Sequence, residues 1–244
     1  MTDTVKPSPT QLLRGRIQNL RSTRQSQEFF FTDADRVAMG ATAVAASLAG
    51  LGGVAIGLAA SADDTAEEAD LLEFELDGKG IRAWVWVSVF KEGDEVEIVA
   101  EQLGQVWHAF GIRRISDRIV ALHPHCSRGR YAHYKATARW WIGLTAAFLL
   151  AFNIFAAIVL YFSGDNDWYG ILNLFLGGGV IVLSITGIIA FRISRKMMKF
   201  VRLAEGIFSG FGWRGVKSID LPAITRKSKH PGEPGALGVL YFRY

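Results

Sequence analysis

Two long uncharged stretches dominate the second half of the chain. Trp140 to Gly164 holds 25 residues without Asp, Glu, Lys or Arg, and Trp168 to Phe191 holds 24. A helix of about 20 apolar residues crosses the roughly 30 Å hydrocarbon core of a bilayer. Only Asp165-Asn166-Asp167 separates the two stretches. The pattern therefore predicts transmembrane helices over 140–164 and 168–191, joined as a tight antiparallel hairpin.

Basic residues flank this predicted hairpin at both of its ends. They are Arg128, Arg130, Lys135 and Arg139 before the first span, and Arg192, Arg195, Lys196, Lys199 and Arg202 after the second. Positive flanks stay in the cytoplasm, so both ends of the hairpin and both chain termini are expected inside and the Asp-rich tip outside. The expected location is a membrane, crossed more than once.

A third apolar segment, 37–61, is built largely of Ala and Gly. Its small residues recur every four positions, and Gly53 and Gly57 form a GxxxG pair that suits close helix packing or a homo-oligomer. If the segment crossed the membrane, the basic flanks of the hairpin would face outside, against the charge rule. A re-entrant hairpin bent around residues 49–53, or a helix that lies against the other two, avoids that conflict, and a third span stays open as the alternative.

Between the first apolar segment and the hairpin, the hydrophobic period changes to two. Leu72, Phe74 and Leu76 alternate with acidic residues, Asp77-Gly78 indicates a turn, and a second strand is predicted over 81–90. Further strands are predicted over 95–101, 105–113 and 118–122. Residues 63–125 are thus expected to form a small antiparallel β-barrel of OB-like or SH3-like size. Within the basic segment 1–36, an additional strand is expected over 12–20.

After the second span, apolar residues recur at helical spacing opposite basic ones. This predicts an amphipathic helix over 192–209 that lies in the cytoplasmic membrane interface. Its apolar positions are Ile193, Met197, Phe200, Val201, Ala204, Ile207 and Phe208. The tail, 210–244, ends in an apolar run that is expected to dock as a strand. The fold class is therefore an α+β membrane protein with a cytosolic β domain.

Charge narrows the choice of partners. The chain carries a net charge of +4, but residues 63–101 carry a net charge of −10, which disfavours a nucleic-acid site on the barrel. Anionic lipid head groups are the expected counter-charge for the basic flanks. Trp84, Trp86 and Phe90, predicted on one strand, form a candidate patch for a protein partner or for the tail.

The residues that could carry chemistry are few. His123, His125 and Cys126, with His133 downstream, do not match the spacing of a four-ligand zinc site, and no base can be assigned to the thiol. This run is interpreted as a basic turn that reaches lipid phosphate. Asn153 and Asn173, inside the spans, are interpreted as helix-packing contacts. No catalytic, metal or cofactor site is predicted.

Several motifs together resemble a known family. They are FFFTDAD, SLAGLGG, KEGDEVEIVAE, LHPHCSRGR and the terminal PGALGVLYFRY. The chain is similar in these to small proteobacterial membrane proteins assigned to the effectors of type VI secretion systems. The resemblance implies an inner-membrane location and a part in contact-dependent competition between bacteria. A membrane-acting effector is the expected role, with an immunity protein or a membrane-tethered scaffold as alternatives.

Overall fold

The computed structural model describes residues 10–27, 29, 67–163, 169–170 and 177–244. The chain divides into two compact units. The barrel unit contains Met1–His125 and Leu221–Tyr244, and the helical unit contains Cys126–Asp220. The Ala/Gly segment 37–61, Asn173 and the Asp-rich tip lie outside the described residues, so the predictions made on them stay predictions.

The strands of the barrel unit follow the predicted alternation closely. They are β1 Gln11–Gln27, β2 Glu67–Leu76, β3 Lys79–Val85, β4 Glu95–Leu103, β5 Val106–Arg114, β6 Ile119–Leu122 and β7 Phe242–Arg243. The order across the sheet is β3-β2-β1-β4-β5-β6-β7, and β3 also pairs with β5. Strands β1 to β5 therefore close into a five-stranded barrel. The small β-barrel expected from the sequence is therefore confirmed.

The closed ring differs from the expected one in two respects. The β3–β5 pairing that closes it is parallel, between Ile81–Ala83 and Trp107–Ala109, whereas a wholly antiparallel barrel was expected. In addition, β6 lies outside the ring, and β1 is the fifth strand of the ring in its place. The reason is that β1, with 17 residues, is long enough to pair with both β2 and β4. A register shift between Gln18 and Arg21 allows it to bend between them.

The barrel core is made by the inward positions of these strands. Ile17, Leu72 and Ile98 are fully buried there. Phe90 is only 6% exposed and belongs to the same core as Leu237 and Tyr241 of the tail, which agrees with the expected packing on the tail and not with a patch open to a partner. The strand that was predicted to carry all three ends earlier, at Val85.

The C-terminal tail completes the barrel unit. After helix α4, Leu221–Ser228, the chain returns as β7, which pairs with β6 through Ile119 opposite Arg243. Thr225 accepts a hydrogen bond from the Arg243 backbone at 2.9 Å, and the Arg243 guanidinium pairs with Glu233 at 2.7 Å. The expected docking of the tail as a strand is confirmed.

The helical unit is described over residues 126–163, 169–170 and 177–220, where its long helices carry the labels α1 to α3. They are α1 Arg130–Ser163, α2 Gly179–Lys196 and α3 Met198–Gly210, with a 3₁₀ turn at Val216–Ser218. Among the described residues one helical stretch, Arg130–Val159, is long and apolar enough to cross a membrane. Residues 168 and 171–176 of the second predicted span lie outside the described residues.

Helix α3 corrects the expected surface helix. The predicted helix 192–209 is divided, because α2 continues to Lys196 and α3 begins at Met198. The apolar side of α3, including Phe200, Ile207 and Phe208, is buried within the protein. Phe208 stacks on Trp213, with ring centroids 5.4 Å apart. Protein therefore covers the face that was predicted to contact lipid.

Candidate functional site

The candidate site lies between α1 and α2, within the helical unit. The two helices run antiparallel, since His133 contacts Ser194 while Trp141 contacts Thr186. The Trp141 indole N–H donates to Thr186 Oγ1 at 3.1 Å, and that hydroxyl donates in turn to the Val182 carbonyl at 2.7 Å. The hydrogen bond between Trp141 and Thr186 therefore joins the two helices at this level.

Glycine allows the close approach at this level. A Cβ added to Gly187 would lie 3.1 Å from Cζ2 of Trp141, which is tighter than ordinary van der Waals contact. The indole ring therefore packs directly on the backbone of α2. Small residues have this effect at helix interfaces in membranes, where packing contributes most of the association energy.

A groove of about 710 Å³ follows the two helices on either side of this contact. Most of its lining is apolar: Trp140, Leu144, Phe148, Val182, Ile189 and Ile193. Its polar lining includes Arg128 and His133 at one end and the hydroxyls of Thr137, Thr145 and Thr186 farther along. The volume is in the range of small-molecule sites, about 300–1,000 Å³.

The polar end of the groove is held by hydrogen bonds. Arg128 donates from Nε to Asp220 Oδ1 at 3.1 Å, and the two residues also form a β-bridge. His133 Nε2 lies 3.0 Å from Ser194 Oγ and 3.3 Å from the Ser194 carbonyl oxygen. Ser194 is 2% exposed, so this contact is shielded from solvent. Both groove-lining side chains thus have defined positions.

A buried carboxylate anchors the start of α1 next to this end. Glu205 accepts from the Arg130 backbone N–H at 2.9 Å and from Arg130 Nη2 at 2.6 Å. A carboxylate at a helix N-terminus also interacts favourably with the helix dipole. The hydrogen bond from the Arg130 side chain is the largest cause that holds the pKa of Glu205 below its usual range. The pair fixes the direction in which α1 leaves the polar end.

The residue before α1 has no room for a side chain. A Cβ added to Gly129 would lie 2.1 Å from the Val216 carbonyl oxygen and 2.7 Å from the Lys217 carbonyl carbon. The Gly129 N–H also donates to the Ile219 carbonyl at 2.9 Å. Position 129 therefore requires glycine, because the backbone of the 3₁₀ turn passes directly over it.

The two histidines of the predicted basic turn belong to an aromatic cluster in the barrel unit. The His123 ring lies 5.3 Å from the Phe29 ring, and the His125 ring lies 5.1 Å from Trp86. Phe29 also packs edge-on against Trp84 at 5.6 Å. Burial lowers the pKa of His123. Packing therefore occupies both rings, and the lipid-phosphate contact expected of this run stays a prediction.

His125 has a second contact and an unusual backbone. Its Nε2 lies 2.7 Å from Glu67 Oε2, and its φ is 66°, in the left-handed region that few non-glycine residues adopt. The hydrogen bond with Glu67 and the ring contact with Trp86 support this conformation. The sequence run alone, with its Pro124, carried no signal for this geometry.

Cys126 is placed where a thiolate is disfavoured. It is a free, buried cysteine, and burial raises the pKa of its thiol well above the usual range. At neutral pH the side chain is therefore a protonated, apolar group. Within the described part of the chain, no group of three or more His, Cys, Asp or Glu side chains is arranged to hold a metal ion.

Asn153 bonds within its own helix. Its Nδ2 donates to the Leu149 carbonyl at 2.6 Å, and its expected role in helix packing stays a prediction. The amide can reach the carbonyl four residues earlier, which satisfies one donor without a second helix. The sequence did not predict the contact that joins the helices, between Trp141 and Thr186.

Glu205 was also missed, although a signal for it exists. It is the only acidic residue between positions 168 and 219, within a strongly basic region. An isolated carboxylate among arginines and lysines, on the apolar side of a predicted helix, indicates a buried ion pair. The partner, Arg130, could not be read from the sequence because 75 residues separate the two.

No protein-family model, curated protein or solved structure matches this chain. The resemblance to type VI secretion effectors therefore has no match that tests it, and it stays an expectation. The features of the structure that bear on function are the exposed apolar helix α1, the groove between α1 and α2, and the distribution of charge.

Proposed function

We propose that this chain is a non-enzymatic protein of a bacterial inner membrane. In this proposal α1 and the second apolar stretch form a transmembrane hairpin, and the barrel unit and both termini are cytoplasmic. The proposed role is in type VI secretion-linked competition, as a membrane-acting effector-like protein. The lipid bilayer with its anionic head groups is the first partner.

The exposure of α1 carries the membrane assignment. Only 6% of its most apolar window is buried, whereas the core helix of a soluble protein is mostly buried. Phe148 is 58% exposed and Leu150 and Phe155 are each 64% exposed. Each such side chain gains about 1.5–3 kcal/mol when it leaves water for an apolar environment. A bilayer covers the whole length of this surface at once.

Charge supports the orientation. Arg130, Lys135 and Arg139 lie at the start of α1, and Arg195 and Lys196 lie in the last turn of α2. Because the helices are antiparallel, these cations gather at the same end of the pair. The positive-inside rule assigns that end to the cytoplasm.

The ionisable groups near the groove favour a role without catalysis. Arg130 and Glu205 pair with each other, as do Arg128 and Asp220, and Cys126 is buried as a thiol. Each of these groups has a structural function that a catalytic task would disturb. The groove itself is lined mainly by hydrocarbon.

The aromatic cluster supports a second candidate, a membrane-tethered scaffold or immunity protein. Trp84 and Trp86 are half-buried on the barrel unit, and exposed aromatic area is enriched where proteins bind one another. A protein partner would dock there while the hairpin holds the barrel at the membrane. A homo-oligomer through the GxxxG pair of residues 53 and 57 is compatible with either role.

Topology is tested by labelling single cysteines in intact spheroplasts. Asn166→Cys should react with a membrane-impermeant maleimide from outside, and Ser218→Cys should react only after permeabilisation, each in a Cys126→Ser background. Ser218 follows the hairpin and Asn166 lies at its tip. Labelling of Ser218→Cys in intact spheroplasts, or a chain that does not float with lipid vesicles, would contradict the membrane hairpin.

The role is tested by expression in a sensitive strain with a potential-sensitive dye. A membrane-acting effector should depolarise the cells, and Phe155→Arg, which places a charge within α1, should abolish the effect. Lys135→Arg keeps the charge at the helix start and serves as the matched control. Wild-type chain that inserts without depolarisation would reject the effector role in favour of the scaffold or immunity role.

A further inference from the structure

We propose that the groove between α1 and α2 binds one anionic phospholipid from the cytoplasmic leaflet. An acyl chain lies along the groove and the lipid phosphate lies against Arg128. This inference rests on the proposed membrane hairpin and goes beyond it, because it assigns a specific, stoichiometric lipid to a site within the helical unit.

The distribution of polarity along the groove defines the class of ligand. Arg128 and His133 form one end, and Phe148 and Val182 form the other, with apolar side chains over most of the length between them. A ligand that satisfies both ends has an anionic head and a long hydrocarbon tail. A uniformly polar solute would leave the apolar length uncovered.

The apolar part of the groove, beyond its polar end at Arg128 and His133, matches one leaflet in length. Eleven residues separate Thr137 from Phe148 on α1, and eleven separate Val182 from Ile193 on α2. At 1.5 Å per residue each distance is about 16 Å, close to half of the roughly 30 Å hydrocarbon core. In the proposed orientation, the groove therefore extends from the cytoplasmic head-group level to the middle of the bilayer.

Charge at the polar end favours a phosphate. The guanidinium of Arg128 has five N–H donors in a planar fork, and the contact with Asp220 uses Nε. The fork geometry suits bidentate recognition of phosphate oxygens. Asp220 partly neutralises this cation, and His133, positioned by Ser194, forms the adjoining wall.

The steric part of the proposal is tested by filling the groove. The full-length chain is purified in detergent with equal amounts of dipalmitoyl phosphatidylglycerol and dipalmitoyl phosphatidylcholine, and retained lipid is measured by native mass spectrometry. Ala190→Phe and, independently, Ala136→Phe place a ring in the groove from either helix. Ala147→Phe adds the same ring to an exposed position of α1 outside the groove lining and is the matched control.

Wild type and Ala147→Phe should each retain one phosphatidylglycerol, and each groove-filling variant should retain about tenfold less, which corresponds to about 1.4 kcal/mol. Two variants on different helices are used because one of them could fail to fold, which circular dichroism would reveal. Equal retention by a folded groove variant and by Ala147→Phe would overturn the proposal.

The electrostatic part is tested with Arg128→Gln, compared with Arg139→Gln, whose arginine does not line the groove. Arg128→Gln should lose the preference for phosphatidylglycerol over phosphatidylcholine, and Arg139→Gln should keep it. Equal retention of the two lipids by wild type would overturn the anionic assignment. Vesicle flotation distinguishes failure of the lipid site from failure of the membrane hairpin. If the chain floats with vesicles but retains no lipid, only the lipid site is rejected. If the chain does not float, the membrane hairpin is rejected.

Discussion

The replacement of Gly129 by alanine tests the packing of the helical unit most directly. The added Cβ would lie 2.1 Å from the Val216 carbonyl oxygen, more than 1 Å short of the 3.4 Å at which ordinary contact begins. Its other near neighbours are the backbone carbon and oxygen of Lys217, each at 2.7 Å. Backbone cannot rotate aside as a side chain can, so the start of α1 and the 3₁₀ turn must separate.

The cost of this separation follows from the behaviour of overpacked interiors. Such substitutions destabilise by about 1–3 kcal/mol, and a backbone clash belongs at the upper end. The hydrogen bond from the Gly129 N–H to the Ile219 carbonyl is strained by the same movement. About 3 kcal/mol lowers the Tm of a chain of this size by roughly 6–12 °C.

The assay is thermal unfolding of the detergent-purified chain followed by circular dichroism. Gly143→Ala is the matched control, because an added Cβ meets nothing within 4 Å there and alanine favours a helix interior by up to about 1 kcal/mol. We expect Gly129→Ala to melt well below wild type and Gly143→Ala at or above it. A Gly129→Ala chain that melts with the control would refute the packing of the turn against α1.

Three further predictions concern single contacts. Arg130 depresses the pKa of Glu205 from its ordinary 4.5, so the pair stabilises the fold fully above pH 4.5 and less as pH falls through the folded pKa. Glu205→Gln should therefore reduce the loss of Tm at acidic pH, and an unchanged loss would count against the pair. Trp141→Phe removes the interhelical donor and should lower the free energy of unfolding in mixed micelles by about 0.6 kcal/mol. An unchanged free energy would contradict a stable hydrogen bond between the helices. Ile98→Ala empties a fully buried barrel position and should cost about 2–5 kcal/mol in urea unfolding, whereas the exposed Leu103→Ala should change little; similar losses for both would refute the barrel core.

The local elements of this protein could be read from its sequence. Alternation at Leu72, Phe74 and Leu76 placed β2, and the turn at Asp77-Gly78 separates it from β3. The uncharged stretch from Trp140 onward lies within α1. These features depend on the periodicity of neighbouring residues, which propensity and burial impose over a few positions.

The partners of these elements could not be read in the same way. The pairing of β3 with β5 closes the barrel, and the pairing of Arg130 with Glu205 positions α1, yet both join residues far apart in the chain. The aromatic surroundings of His123 and the groove beside Trp141 likewise arise only when separate segments meet. The local sequence around a residue does not specify which distant residue will form a hydrophobic or ionic contact with it.

The sequence by itself therefore determined the elements and the division into an acidic β region and basic-flanked apolar stretches. Tertiary structure decided the closure of the barrel by β3 and β5, the burial of Phe90 and of the apolar side of α3, and the groove between the helices. The physical reason is that local periodicity selects helix or strand, while burial depends on what lies opposite in space. Apolar residues of a helix can stay exposed at the protein surface, as along α1, or be buried by protein, as along α3.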